Sequence, residues 1–246
     1  MKTRLDEWLV NKGFYPSRAR ARDAILRGCI SLDNNLSAKP SRTVGDDDAV
    51  RIDDPALQYV SRAALKLVHG LSETGFSPIG RTALDIGAST GGFCQVLLQL
   101  GADHVYALDV GHDQLAPCLR NHPKLTNLEG INARDLRIDH LAGKGPEFLT
   151  SDVSFISLKL ALPPALEIAA EKAIGVFLVK PQFEVGRVGL GKGGVVRDSH
   201  LALETAKSVR NWLDEFPGWK ATHFMPSPLP GGDGNQEFLL AGMKHG

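Results

Sequence analysis

The run Leu84-Asp85-Ile86-Gly87-Ala88-Ser89-Thr90-Gly91-Gly92-Phe93 constrains this chain more than any other stretch. An apolar strand ends near Asp85, three glycines follow within six positions, and a helix can open at Gly92, so the segment reads as strand, tight loop and helix. Glycines there let backbone approach a ligand where a Cβ would collide. Spacing then separates the ligands. A dinucleotide fingerprint puts glycine at the first, third and sixth places, but Ser89 holds the third, and the Gly-Lys-Ser/Thr ending of a triphosphate-cradling loop is absent. What stays is a loop for a nucleoside-like cofactor.

Strand-like runs at 82–86, 104–109, 127–131, 148–152 and 174–179 alternate with helical segments starting at Gly92, Gln114 and Leu158, and Ser61 can cap a further helix running to about Thr74. Such alternation predicts an α/β, Rossmann-like, doubly wound and mostly parallel sheet with right-handed crossovers. A helix over 201–216 and a terminal hairpin from 220–225 and 236–242 complete it, and the length and position of the glycine-rich stretch 186–194 suggest a mobile cover. The second strand ends in Leu108-Asp109-Val110, where a carboxylate can accept hydrogen bonds from both ribose hydroxyls of an adenosine. Asn132-Ala133-Arg134-Asp135 follows the third strand, which places Asp135 to meet the adenine amino group. The cofactor set is thus Asp85, Gly87, Ala88, Ser89, Gly91, Gly92, Phe93, Asp109, Asp135 and Asp152. The glycine spacing with Asp109 favours S-adenosyl-L-methionine; an NAD enzyme stays open, because ribose recognition is shared and only the spacing opposes it.

Ahead of this domain lies a smaller one. Leu5, Trp8 and Leu9 recur at helical spacing, Ser17 can cap a second helix that carries Ala21, Ala24 and Ile25 inward, and Gly28 can end it. Strands at 29–32 and 49–52, with a turn at Asp33-Asn34-Asn35 and an acidic loop at 46–48 between them, make a small α+β unit. Asp53-Asp54-Pro55 marks the boundary region, and the two domains are taken as 1–58 and 59–246. The 28 basic and 28 acidic residues cancel over the chain, so distribution must reveal any polyanion partner. Arg4 and the helix-borne Arg18, Arg20, Arg22 and Arg27 form such a local excess, fit to pair with phosphates without reading sequence.

Cys29, Cys94 and Cys118 are far apart and in no metal-ligand spacing, which argues against disulfides, zinc or any other metal and for a reducing, cytoplasmic setting. The central apolar run, 173–179, is far shorter than the roughly 20 residues of a membrane span, and the N-terminus lacks a secretory apolar stretch. No membrane partner is expected.

Further blocks carry a resemblance. Arg4-Leu5-Asp6, Ser17-Arg18-Ala19 and Ile25-x-x-Gly28 look like the RNA-binding module named for ribosomal protein S-four. Ser61-Arg62-Ala63-Ala64-Leu65-Lys66-Leu67, Asp152-Val153-Ser154-Phe155-Ile156-Ser157, Val179-Lys180-Pro181-Gln182-Phe183-Glu184 and Gly234-Asn235-Gln236-Glu237-Phe238-Leu239 look like FtsJ-like catalytic blocks. The chain resembles the TlyA-like methyltransferases, which join these two modules, over nearly its whole length. The resemblance implies an S-adenosylmethionine-dependent enzyme acting on ribosomal RNA or ribosomal subunits, and a Lys-Asp-Lys-Glu tetrad at Lys66, Asp152, Lys180 and Glu237.

A ribose 2′-hydroxyl is a poor nucleophile while protonated, whereas a sulfonium methyl is already activated, so the enzyme must mainly orient the oxygen and remove its proton. Lys180 is the candidate base; a free lysine is protonated at neutral pH, so burial and the nearby positive charge of Lys66 or the sulfonium would have to lower its proton affinity. Asp152 and Glu237 would orient the two amines. Asp152-Val153-Ser154-Phe155 lacks the Asn/Asp-Pro-Pro-aromatic loop common in enzymes that methylate exocyclic amines, which points to a ribose 2′-O-methylated product. In the connection Ala56-Leu57-Gln58-Tyr59-Val60, Tyr59 stands where relatives often carry a tryptophan. Two other readings compete: a hemolysin-like, membrane-active cytotoxin, since some relatives bear that label, and a noncatalytic RNA-binding ribosome assembly factor.

Overall fold

The computed structural model describes residues 2–33, 39–45 and 47–245. Asn34 and Asn35 of the expected turn, and Asp46 of the acidic loop, lie outside the described residues. The chain divides into two compact units, Met1–Gln58 and Tyr59–Gly246.

In the first unit β1 (Thr3–Arg4), α1 (Leu5–Asn11), α2 (Arg18–Leu26), β2 (Ile30–Leu32), β3 (Thr43–Val44) and β4 (Val50–Ile52) follow in order. β1 pairs antiparallel with β3 and β2 with β4. The β1–β3 pair was not expected, because two residues are too short to show a period. Ser17 caps α2 by accepting the Arg20 N–H at 3.3 Å, and Gly28, at φ 77°, ends it. Leu5, Leu9, Ala21, Ala24, Ile25, Ile30 and Leu32 close the core. Below it sits a buried polar knot: Asp54 accepts two hydrogen bonds from Arg27 at 3.0 and 2.9 Å, one from Tyr15 Oη at 2.9 Å and one from the Ala56 N–H at 2.9 Å. Burial pushes the Asp54 carboxyl up, but these donors outweigh it and hold it below its ordinary value.

The second unit contains α3 (Ala64–Thr74), β5 (Thr82–Ile86), α4 (Gly92–Gln99), β6 (His104–Asp109), α5 (Pro117–Arg120), β7 (Leu125–Glu129), β8 (Phe148–Ser151), α6 (Leu158–Ala161), α7 (Pro163–Ile168), β9 (Ile174–Val179), α8 (Ser199–Glu215), β10 (Trp219–Pro226) and β11 (Phe238–Lys244). The sheet order is β10-β11-β9-β8-β5-β6-β7, with β5 to β9 parallel and the β10–β11 hairpin joined antiparallel to β9. Alternation sends Val176, Leu178 and Leu239 to the α3/α4 side and Phe177, Val179, Leu240 to the α6–α8 side. β9 is buried along its whole length, as a central strand covered on both faces must be.

The sheet follows the sequence reading with shifts at its edges. The third parallel strand begins at Leu125 and stops at Glu129, because Leu125 pairs with Val105 and Gly130 turns at φ 72°, so Ile131 falls in the following loop. The helix expected from Gln114 begins at Pro117, since Gln114 serves the glycine loop by accepting from Ser89 Oγ at 3.1 Å. Ser61 does not cap α3: its hydroxyl accepts the Ala63 N–H within a preceding turn, and the helix starts at Ala64.

Candidate active site

β5 has β6 on one side and β8 on the other, so the chain reverses direction across the sheet between β5 and β8, where open α/β sheets bind ligands. A cavity of about 710 Å³ opens there, lined among others by Gly87, Ser89, Asp109, Asn132, Asp152 and Phe155. That is the size of a small-molecule site, roughly 300–1,000 Å³. A recess of about 80 Å³ beside it is walled by Asp85, Ala88, Gly92, Phe93 and Asp152.

The glycines of the loop answer first to the protein's own packing. Gly87 sits at φ 84°, and a Cβ on it would lie 3.0 Å from Val153 Cγ1 and 3.1 Å from the Asp152 carbonyl. Gly91, at φ 90°, would drive a Cβ to 2.5 Å from Leu119. The loop therefore threads between β8 and α5 before any ligand arrives, and its backbone is preset. Asp109 accepts the Ser89 N–H at 2.7 Å through one carboxylate oxygen and the Gly111 N–H at 2.8 Å through the other. Each oxygen keeps a further lone pair, and the residue lines the cavity. Asn132, Ala133 and Arg134 line the same cavity; Asp135, next in chain, is exposed and does not. Asp85 is fully buried, and desolvation pushes its carboxyl up to about 6 although Cys94 Sγ (3.1 Å) and Thr150 Oγ1 (2.9 Å) donate to it.

The four tetrad residues gather on one face. Phe238 pairs with Val179, both on the α6–α8 side, so Glu237 and Lys180, one step further on, turn to the α3/α4 side. Thr150 reaches Asp85 on that side, so Asp152, two residues on, follows it. Lys66 comes down from α3. The result is two ion pairs. Lys66 Nζ meets Glu237 Oε2 with both side chains almost sealed, 6% and 3% exposed, whereas Lys180 Nζ lies 2.7 Å from Asp152 Oδ1 with 11% and 19% exposure. The second pair is the more open of the two.

Several neighbours were not singled out from sequence. Ser154 Oγ accepts from Lys180 Nζ at 2.8 Å. Glu184 accepts from Ser157 Oγ at 2.5 Å and the Leu158 N–H at 2.7 Å, tying the loop after β8 to the loop after β9. Asn235, 2% exposed, donates to the Gly194 carbonyl at 3.2 Å and accepts the Val196 N–H at 3.0 Å, clamping the glycine-rich loop to the segment that carries Glu237. Phe155 is 90% exposed at φ 65° and borders the cavity, its ring 5.1 Å from that of Phe183. Hydrogen bonds joining residues over 25 apart leave no local pattern to read.

The first unit separates its arginines. Arg22 is exposed on α2. Arg4 and Arg18, 41% and 55% exposed, both reach the buried Asp6 at 3.0 and 3.1 Å while leaving part of each guanidinium outward, and Arg20 donates to the Ala56 carbonyl at 3.2 Å. Arg27 is different: 11% exposed, bridged to Asp23 at 2.8 Å and to Asp54, it is committed to the core of the unit.

Residues 59–244 match the family described as FtsJ-like methyltransferase, and residues 3–50 match the S4 domain. A protein of Mycobacterium tuberculosis named 16S/23S rRNA (cytidine-2′-O)-methyltransferase TlyA is 42% identical over 97% of this chain and 89% of its own length. Hemolysin A of Brachyspira hyodysenteriae is 37% identical over 96% of this chain and 98% of its own. A solved structure from Streptococcus thermophilus that bears a hemolysin name superposes with a TM-score of 0.77 at 35% identity, covering 99% of this chain and 89% of that one. Among the described residues no helix is long and apolar enough to cross a membrane, and no cluster of three or more His, Cys, Asp or Glu is arranged to hold a metal ion.

Proposed function

Because this chain belongs to the FtsJ-like methyltransferase family, we propose that it transfers the methyl group of S-adenosylmethionine to a ribose 2′-hydroxyl of ribosomal RNA. The observation that carries the reading is the more open ion pair, Lys180–Asp152, whose Asp152 lines the same cavity as the Asp109 carboxylate.

Asp109, with its spare lone pairs, fits the two ribose hydroxyls of the adenosine, and the Gly87–Gly91 backbone fits the amino-acid end. S-adenosylmethionine supplies an electrophilic methyl on a sulfonium. The chain's own residues then have two tasks, to orient the acceptor oxygen and to take its proton. Lys180 Nζ is the proton acceptor, and Asp152 holds that amine and balances its charge once it is protonated. Lys66 and Glu237 neutralise each other beneath it and tie α3 to β11. Asp85, next to the cavity, offers a carboxylate complementary to a cationic cofactor. Arg4, Arg18, Arg20 and Arg22 of the first unit hold phosphates and supply affinity, while the catalytic cleft selects the nucleotide. Arg27 leaves that set, because its guanidinium is spent on Asp54. The three free cysteines suit a cytoplasmic site of action.

The test is incubation of the protein with labelled S-adenosylmethionine and unmodified ribosomal subunits or free ribosomal RNA, followed by nucleoside analysis. Label on a ribose 2′-oxygen is expected, and Lys180→Ala is expected to lose at least ~10²-fold in transfer while still binding RNA. Label on a base would overturn the reading, and an unchanged Lys180→Ala would remove its base.

A further inference from the structure

An amine acting as a base must present one lone pair in one direction. Lys180 Nζ donates a hydrogen bond to Ser154 Oγ at 2.8 Å, and Asp152 Oδ1 stands 2.7 Å away as an ion-pair partner outside hydrogen-bonding geometry. One N–H directed at Ser154 fixes the rotor of the tetrahedral amine, and the negative charge of the Asp152 carboxylate disfavours a lone pair on its own side. A neutral Lys180 held in this way keeps its lone pair in the direction that neither Ser154 nor Asp152 faces. Resting on the ribose 2′-O reading above, we infer that Ser154 is a positioning residue that locks the rotor of the Lys180 amine, so that the free base faces the 2′-hydroxyl.

Two independent features hold Ser154 itself in place. Its neighbour Phe155 adopts φ 65°, a left-handed conformation that a bulky side chain rarely takes and that fixes the course of the loop. Downstream, Ser157 and Leu158 are pinned by the Glu184 carboxylate, which stands four residues after Lys180, so the serine and the lysine are carried by two loops tied to one another. The charged and polar groups at the amine are Asp152 and Ser154, with the Phe183 ring centroid 6.0 Å away. With Asp152 alone, no directed hydrogen bond fixes the rotor of the amine. In a solvated loop the serine bond is weak, but a bound RNA strand covers the cleft and removes competing water.

Removing the hydroxyl frees the rotor and costs at most the ~10²-fold that a displacement of about 1 Å at a reacting atom can cause. The experiment measures single-turnover methyl transfer against pH for the full-length protein, Ser154→Ala and Ser154→Thr, at saturating S-adenosylmethionine and ribosomal RNA, with the affinity for each measured separately. A plateau about tenfold lower in Ser154→Ala, with both affinities kept and most of the rate restored in Ser154→Thr, is the expected result. Ser154 is exposed, so both variants are expected to fold, which circular dichroism checks. A plateau equal to the parent protein's, a deficit that raising the pH recovers in full, a loss confined to RNA affinity, or a threonine variant no better than alanine would each overturn the lock. A parent protein that puts no label on ribose would bring down the functional reading and the lock with it, whereas an active parent with an indifferent Ser154→Ala removes the lock alone.

Discussion

Replacing Asp85 by asparagine changes how the stability of the large unit depends on pH. The Asp85 carboxyl is sealed among Cys94, Thr150 and the start of α4, and burial raises it from 3.8 to about 6. Between these values the unfolded chain gives up the proton while the folded one keeps it. The unfolded state then binds fewer protons, and stability falls as pH rises. The contribution of the protonated group is fully present below pH 3.8 and gone above about 6. A shift of about 2 units at ~1.36 kcal/mol each makes the loss about 3 kcal/mol at pH 8 and about 1 kcal/mol at pH 4.5. The substituted amide never ionises and still offers an oxygen to Thr150, so Asp85→Asn should exceed the parent by about 2–3 kcal/mol at pH 8 and by about 1 kcal/mol or less at pH 4.5. Urea unfolding of the ligand-free protein in a Trp8→Phe background, which leaves Trp212 and Trp219 to report on the large unit, measures it. A difference independent of pH, or an asparagine variant less stable at pH 8, would refute the reasoning. The same variant should bind S-adenosylmethionine more weakly relative to its neutral thioether product.

Lys66→Met strands the Glu237 carboxylate in a sealed site and should cost about 3–5 kcal/mol, whereas Lys66→Met with Glu237→Leu should recover most of that in urea unfolding without recovering methyl transfer. Arg27→Ala should destabilise the first unit by a similar about 3–5 kcal/mol, read by its thermal or urea transition, because Asp54 loses its charge partner. Arg22→Ala should leave stability within about 0.5 kcal/mol and instead weaken RNA binding, with the slope of log affinity against log salt reduced by about one.

The parallel core was legible because fully buried strands such as β9 are written as unbroken apolar runs and because the glycine loop has few other uses. The tetrad was legible only by resemblance; what the sheet adds is placement, since alternation from Val179 and Phe238 turns Lys180 and Glu237 to the same face. Element edges moved where a side chain found a tertiary task, as Gln114 did with Ser89 and Ser61 did with its own turn. Arg27 and Arg22 look alike in sequence, five residues apart around one helix; what separates them is Asp54, 27 residues away from Arg27. Composition counts both as basic, and only packing shows that one of them is interior.

The backward course of β11 makes activity a property of the finished chain. Lys66 is synthesised early, yet its carboxylate partner stands 171 positions later, on a strand that must double back along β9. A nascent chain halted after β9 would already contain the cofactor loop, Asp109, Asp152 and Lys180. It would hold Lys66 unpaired and expose the edge of β9, six consecutive apolar residues with glycine among them, to any strand in reach. A chain ended after Lys180 is therefore expected to aggregate and to transfer no methyl group.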